Sequence, residues 1–124
     1  MAEPQIRYDE PSDTLHVSFA PGEAATGVEL NDNLLLRIDK PTRRAVGLTV
    51  LNYSLLAQAT EVGPRSVPLT GLADLGDEMR DMALAILRSP PVNEFLLLSA
   101  YSPAAREVIP IALLRLDRIT SRAA

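Results

Sequence analysis

The chain has 124 residues, the length of one compact domain, and 47% of them are hydrophobic, which argues against disorder. It has no cysteine, which excludes disulfides, thiolate metal sites and a thiol nucleophile. Sixteen acids against twelve bases give a net charge of −4, and an acidic chain with no basic run is a poor partner for nucleic acid. Only Arg7, Arg37, Lys40, Arg43 and Arg44 could supply a basic face. With no tryptophan, three tyrosines and two phenylalanines, a stacking platform for single strands is not expected either.

From the N-terminus, MAEPQIRYDE has neither the basic start nor the apolar run of a signal peptide. No later stretch reaches the roughly 20 apolar residues that span a bilayer. A cytoplasmic protein without membrane contact is the expectation. Gln5 to Tyr8 is a possible first strand. In TLHVSF, Leu15, Val17 and Phe19 alternate with Thr14, His16 and Ser18, the period of a half-buried strand. APGEAATG breaks it. Gly27 to Leu30 and Leu34 to Asp39 follow, joined by Asn31-Asp32-Asn33, residues that tolerate the backbone of a tight turn. After DKPTRR comes AVGLTVL, with Val46, Leu48 and Val50 on one face. These strands predict an antiparallel meander. Its inner face, Leu15, Val17, Phe19, Val28, Leu30, Leu34, Leu36, Ile38, Val46, Leu48 and Val50, needs a cover from the second half or another subunit.

Residues 60–72 read as a connector rich in Pro and Gly. A helix is predicted from Asp74 to Arg88, with Leu75, Met79, Met82 and Ile86 as its apolar stripe. Asp74 or Asp77 would cap it and Ser89-Pro90-Pro91 would stop it. NEFLLLSAY and EVIPIALLRLDRI return to strand character. The run Leu96-Leu97-Leu98 predicts burial on both faces, and Pro110 limits its strand to an edge, a start or a bulge. LLRIDKPTRR (35–44) and LLRLDRITSR (113–122) echo each other, either as a duplication or as chance likeness of two amphipathic strands. The fold class is α+β: one domain over 1–124, with a mainly antiparallel sheet, one main helix covering it, and C-terminal strands extending or closing the sheet.

Ile6, Tyr8-Asp9, Asp13, Leu15 and Val17, followed by Gly47-Leu48-x-Val50-Leu51-Asn52-x-Ser54, carry a resemblance. Residues 4–55 resemble the domain of unknown function 2283, a small β-rich family of bacteria and archaea. Its pattern is hydrophobic-x-Tyr-Asp, a short turn, Asp-x-Leu, an alternating strand and a closing Gly-x-x-Ile-Leu-x-Ala-Ser. This chain has Tyr53 where the family commonly has Ala. The resemblance implies a β-rich fold, no established activity, and for some members an antitoxin-like role beside a toxin. It explains nothing in residues 56–124.

The chemistry-bearing residues gather in YDEPSDTLHVSF. Tyr8, Asp9, Asp13 and His16 could bind a small ligand or a metal, since clustered carboxylates suit Mg²⁺, Ca²⁺ or acid–base work. The plainer reading makes Asp9 and Asp13 the two posts of a hairpin turn, bonding local backbone N–H groups. His16 would then be an outward side chain of a strand. It is the only histidine, so no two-histidine metal motif exists. No G-x-S-x-G, P-loop or G-x-G-x-x-G occurs, so neither a nucleophile elbow nor a phosphate cradle is present. Met79 and Met82 read as core, and Tyr53 and Tyr101 as hydroxyls for a cleft or subunit contact. The reading is a non-enzymatic protein-interaction module, antitoxin-like through the family, homodimeric, with no cofactor, metal or catalytic residue. The alternative is a ligand or metal site around Tyr8, Asp9, Asp13 and His16.

Overall fold

The computed structural model describes residues 4–20, 25–57, 59–60, 63–64, 66–104, 107–115 and 119. In the first half the alternating segments become β1 (Gln5–Asp9), β2 (Thr14–Ser18), β3 (Thr26–Glu29), β4 (Leu34–Asp39) and β5 (Arg44–Leu51). They form one antiparallel sheet in the order β1-β2-β5-β4-β3. A plain meander would set β3 against β2, but β5 takes that place. β5 has eight residues and is buried continuously from Ala45 to Leu48, which suits a central strand. β3 has four residues and one buried side chain, which suits an edge.

Nine of the eleven expected inner-face residues join one buried cluster, and Phe19 packs against it from a partly buried position. The exception is Val46. A register shift between Arg37 and Ile38 pairs Ile38 with Ala45, so Ala45 enters the cluster while Val46 is buried outside it.

The second half supplies the cover. The expected connector holds short strands instead: β6 (Ala59–Thr60), β7 (Gly63–Pro64) and β8 (Ser66–Pro68), followed by a 3-10 turn over Thr70–Asp74. Pro64 and Pro68 stand at strand ends, where proline's missing donor costs little. The main helix after α1 (Tyr53–Leu56) is α2 (Asp77–Leu87). It starts three residues later than predicted, because Asp74 belongs to the 3-10 turn and the N-cap is Gly76, without a side-chain cap. Asp77 and Glu78 occupy its first turn, where the helix dipole favours acids. Met82, Ala83, Ile86 and Leu87 are buried, whereas Leu75 and Met79 are only partly so.

The strands β9 (Leu96–Ala104) and β10 (Glu107–Leu114) do not extend the first sheet. They form a second antiparallel sheet in the order β8-β10-β9, whose Val67, Leu96, Ala112 and Leu114 share the cluster of the first. Pro110 therefore lies in a middle strand, not at an edge. Its carbonyl accepts the Leu69 N–H at 2.8 Å, and a strand residue's N and O point the same way, so the missing donor faces the β8 side. There the β8 ladder has already ended at Ile111–Pro68. Leu97 is half exposed, so the triple leucine is not buried on both faces. Of the later echo segment, Leu113 and Leu114 close β10, and the Ile119 N–H bonds the Arg115 carbonyl at 3.1 Å. Residues 116–118 and 120–122 of that segment lie outside the described residues.

The two sheets meet at the β3–β4 turn. Asn31 Oδ1 accepts the N–H groups of Asn33 and Leu34 at 2.7 and 2.8 Å, and its Nδ2 donates to the Pro68 carbonyl at 2.7 Å. Gly71 N–H bonds the Leu30 carbonyl at 2.8 Å, and a Cβ on Gly71 would collide with the Glu29 carbonyl oxygen. Arg80 ties the following turn to α2 by donating to the carbonyls of Leu72 and Leu75 at 2.9 and 2.8 Å. Gly71→Ala should cost about 1–3 kcal/mol, the range for overpacking, measured by urea unfolding. Gly76→Ala, where a Cβ would meet nothing within 4 Å, brings no clash and should cost only what a poorer N-cap residue costs, about 0.5–1 kcal/mol.

Candidate functional site

Two hairpin turns have the same construction. Asp9-Glu10-Pro11-Ser12-Asp13 joins β1 to β2, and Asp39-Lys40-Pro41-Thr42-Arg43 joins β4 to β5. In each, the N–H of the last residue bonds the second residue's carbonyl, at 3.1 Å for Asp13 and 3.3 Å for Arg43. The hydroxyl of Ser12 or Thr42 donates to the carboxylate of Asp9 or Asp39. The last residue takes the left-handed backbone, with φ of 52° at Asp13 and 55° at Arg43. Proline presets the bend, and the first Asp fixes it by a local side-chain bond.

Asp9 is thus the turn post that the sequence predicts, with the Ser12 hydroxyl in place of a backbone N–H. Asp13 is not. Its carboxylate reaches across to a second segment. Oδ1 accepts the Tyr8 hydroxyl at 2.7 Å and the Ser54 N–H at 3.0 Å, and Oδ2 accepts the Ser54 hydroxyl at 2.6 Å. The Asp13 carbonyl accepts the Tyr53 N–H at 2.9 Å. That approach is possible because Asn52, at φ 56°, turns the chain sharply out of β5 into α1. Asn tolerates this backbone better than most residues. The Tyr8 and Tyr53 rings then pack at 5.7 Å between centroids, tilted by 59°.

The structure therefore brings Tyr8 and Asp13 together and separates Asp9 and His16 from them. Tyr8 leaves β1 on the face of its pairing partner Leu15, whereas His16 lies on the other face in a row with Arg7 and Thr49. His16 is partly buried, and that burial, with Arg7 and Arg37 nearby, moves its pKa down. Thr14, expected outside with His16, is buried and bonds the Ser12 carbonyl at 3.2 Å. Ser54 and Asn52 were missed as site residues. Their signal was the spacing Asn52-x-Ser54 at the end of a strand, whose role depends on what lies opposite. The Tyr101 side chain lies outside the described residues.

The electrostatics follow from the hydrogen bonds. The Ser54 hydroxyl, then the Tyr8 hydroxyl, hold the Asp13 carboxyl below its ordinary range, with burial opposing. The bond to Asp13 is the main cause pushing Tyr8 up to about 12. Among the described residues, no group of three or more His, Cys, Asp or Glu could hold a metal ion. No helix there is long and apolar enough to cross a membrane. The carboxylate that looked most like a reactive group spends its lone pairs on three donors.

These bonded residues are also the ones that carry the sequence pattern. Residues 5–54 match the family described as protein of unknown function (DUF2283). The resemblance drawn over 4–55 is borne out. No curated protein and no solved structure matches the chain. The DUF2283 segment ends at Ser54, the residue that closes on Asp13. Its Tyr-Asp, second Asp and terminal Ser thus have a physical account, a clasp between the first turn and the end of β5.

Asp13→Asn should lower thermal stability at neutral pH. A carboxylate with a depressed pKa stabilises the fold above its unfolded value, near 3.9, and loses that contribution as pH falls through the folded value. The gap in melting temperature between wild type and Asp13→Asn should therefore close below about pH 4. Tyr8 acts with the opposite sign: its contribution is complete below its ordinary 10.0 and is lost as pH rises through about 12. Ultraviolet titration should show a late Tyr8 phenolate, beside a Tyr53 phenolate that burial also delays, and only the Tyr8 step should return towards 10.0 in Asp13→Asn. A melting gap independent of pH would refute the clasp.

Proposed function

We propose that this protein is a non-enzymatic protein-interaction module, working as a homodimeric, cytoplasmic bacterial protein that binds a second protein in an antitoxin-like manner. The observation that supports it is an exposed apolar patch at the clasp end of the sheet. Tyr8 is 44% exposed, Leu51 42% and Leu55 48%, large apolar side chains normally kept from water. Tyr8 and Leu55 flank the Asp13–Ser54 clasp directly and form the patch, while Leu51, paired with Thr14, stands on the opposite face in line with Thr49 and His16. Rigid anchors suit recognition because less freedom is lost on binding.

Beside the patch lies β1, an outer strand of the sheet whose residues are exposed except for a half-buried Ile6. An open strand edge pairs readily with another chain. The full engagement of Asp13 weighs against the alternative ligand or metal site, since a ligand would first have to displace Tyr8 or Ser54. Asp9 and His16 share the face opposite Tyr8 and interact. But Asp9 is engaged by Ser12, and burial with Arg7 and Arg37 disfavours a charged His16, so the pair is no better a ligand site.

The test compares the tagged wild-type chain with a Leu55→Glu variant, both recovered from the native host. That position is exposed, so the fold should survive. A discrete small protein should co-purify with the wild type and be lost from the variant, since truncating a binding hot spot costs about 2 kcal/mol or more. Equal recovery with both chains, or with neither, removes the reading. Light scattering that finds a stable monomer at micromolar concentration removes its homodimeric part.

A further inference from the structure

At the other end of β5 from the clasp, a cleft of about 790 Å³ opens between the β4–β5 turn and the end of α2. That volume lies in the range of small-molecule sites. Phe19, Val46, Met82 and Ile86 line it, with Pro90 and Pro91 beside them. The Phe19 ring packs against the fully buried Phe95 at 5.9 Å, so this lining rests on the core. Among the described residues, the charged ones that line the cleft are Arg43, Arg44, Asp39 and Glu94.

Arg43 is unusual among them. It occupies the left-handed position of its turn, at φ 55°. The matching position in the other turn holds Asp13, a residue type that tolerates this backbone and whose carboxylate is fully used. Arginine has no such tolerance, and glycine would sit there without strain. Non-glycine residues held in this region concentrate where their side chains are used. What Arg43 gives in return is a cationic residue in the lining of the cleft.

We propose that the cleft binds a small amphiphilic carboxylate, its chain against Phe19, Ala85, Pro90 and Pro91, which are not fully buried, and its carboxylate on Arg43. The guanidinium fork matches a carboxylate's two oxygens, and the bond is charge-assisted on both sides. Asp39 keeps its charge while its Oδ2 accepts the Thr42 hydroxyl at 2.8 Å, so Asp39→Asn, like the loss of Glu94's charge, should tighten binding. Glu94 repels a second negative charge and so sets the ligand's polar end on the Arg43 side.

The test is an NMR titration of the full chain with octanoate, octan-1-ol and octylamine, read at the cleft residues. Octanoate should bind saturably and at least about tenfold more tightly than the alcohol or the amine. Arg43→Gly should bring octanoate down to the alcohol's affinity while melting no lower than wild type, because it relieves the backbone. Glu94→Gln should tighten octanoate. No saturable shift, equal affinity for octanoate and octanol, or an Arg43→Gly chain that binds octanoate as wild type does would overturn the proposal.

Discussion

The apolar face of the five-stranded sheet has to be kept from water, and every other part of the fold answers to that requirement. Leu15, Val17, Val28, Leu30, Leu34, Leu36, Ile38, Leu48 and Val50 are each no more than 2% exposed. A sheet of about fifty residues cannot hide such a face by itself. The second half does so with a helix and a second sheet, and its Leu69, Leu72, Leu87, Phe95 and Leu96 enter the same cluster. The segment that matches DUF2283 thus supplies one wall of a core whose opposite wall lies outside the match.

With the apolar face committed to the core, chemistry is confined to the two ends of the sheet. β5 connects them. At one end its exit is clasped by Asp13 through Tyr8 and Ser54, which holds Tyr8 and Leu55 in the open. At the other its entry follows Arg43 and borders the cleft. The two turns share one backbone design and differ in the residue placed at the left-handed position. A single carboxylate makes the first a structural joint, while an arginine gives the second a cationic residue in the lining of the cleft.

Much of the first half was legible because its signals are local. Alternation placed Leu15 and Val17 inward whatever lay beyond them, and Asn31 made its turn by bonding Asn33 and Leu34, two and three residues away. Asp9 followed the same logic. Asp13 did not, since its partner Ser54 stands forty-one residues on. The 3-10 turn before α2 was hidden because Asp74 is as good a cap as any by type, and only the placement of Gly76 decides the start. Pro110 fits its middle strand because the β8 ladder stops before it and a β-bulge between Glu107 and Ile109 precedes it. The expected bulge thus stands close by, and only the edge reading gives way.

By itself the sequence determined the five strands of the first half, the main helix and the two C-terminal strands. It also determined most inward residues of the first sheet, the lack of cysteine and the family pattern of residues 5–54. These depend on periodicity, composition and short spacings, which are properties of neighbouring residues. Only the tertiary structure decided that β5 sits between β2 and β4, that the C-terminal strands make their own sheet, and that Asp13 closes on Ser54. Each of these is a choice among partners distant in the chain. It is settled by which arrangement buries the shared apolar face and still satisfies the polar groups around it.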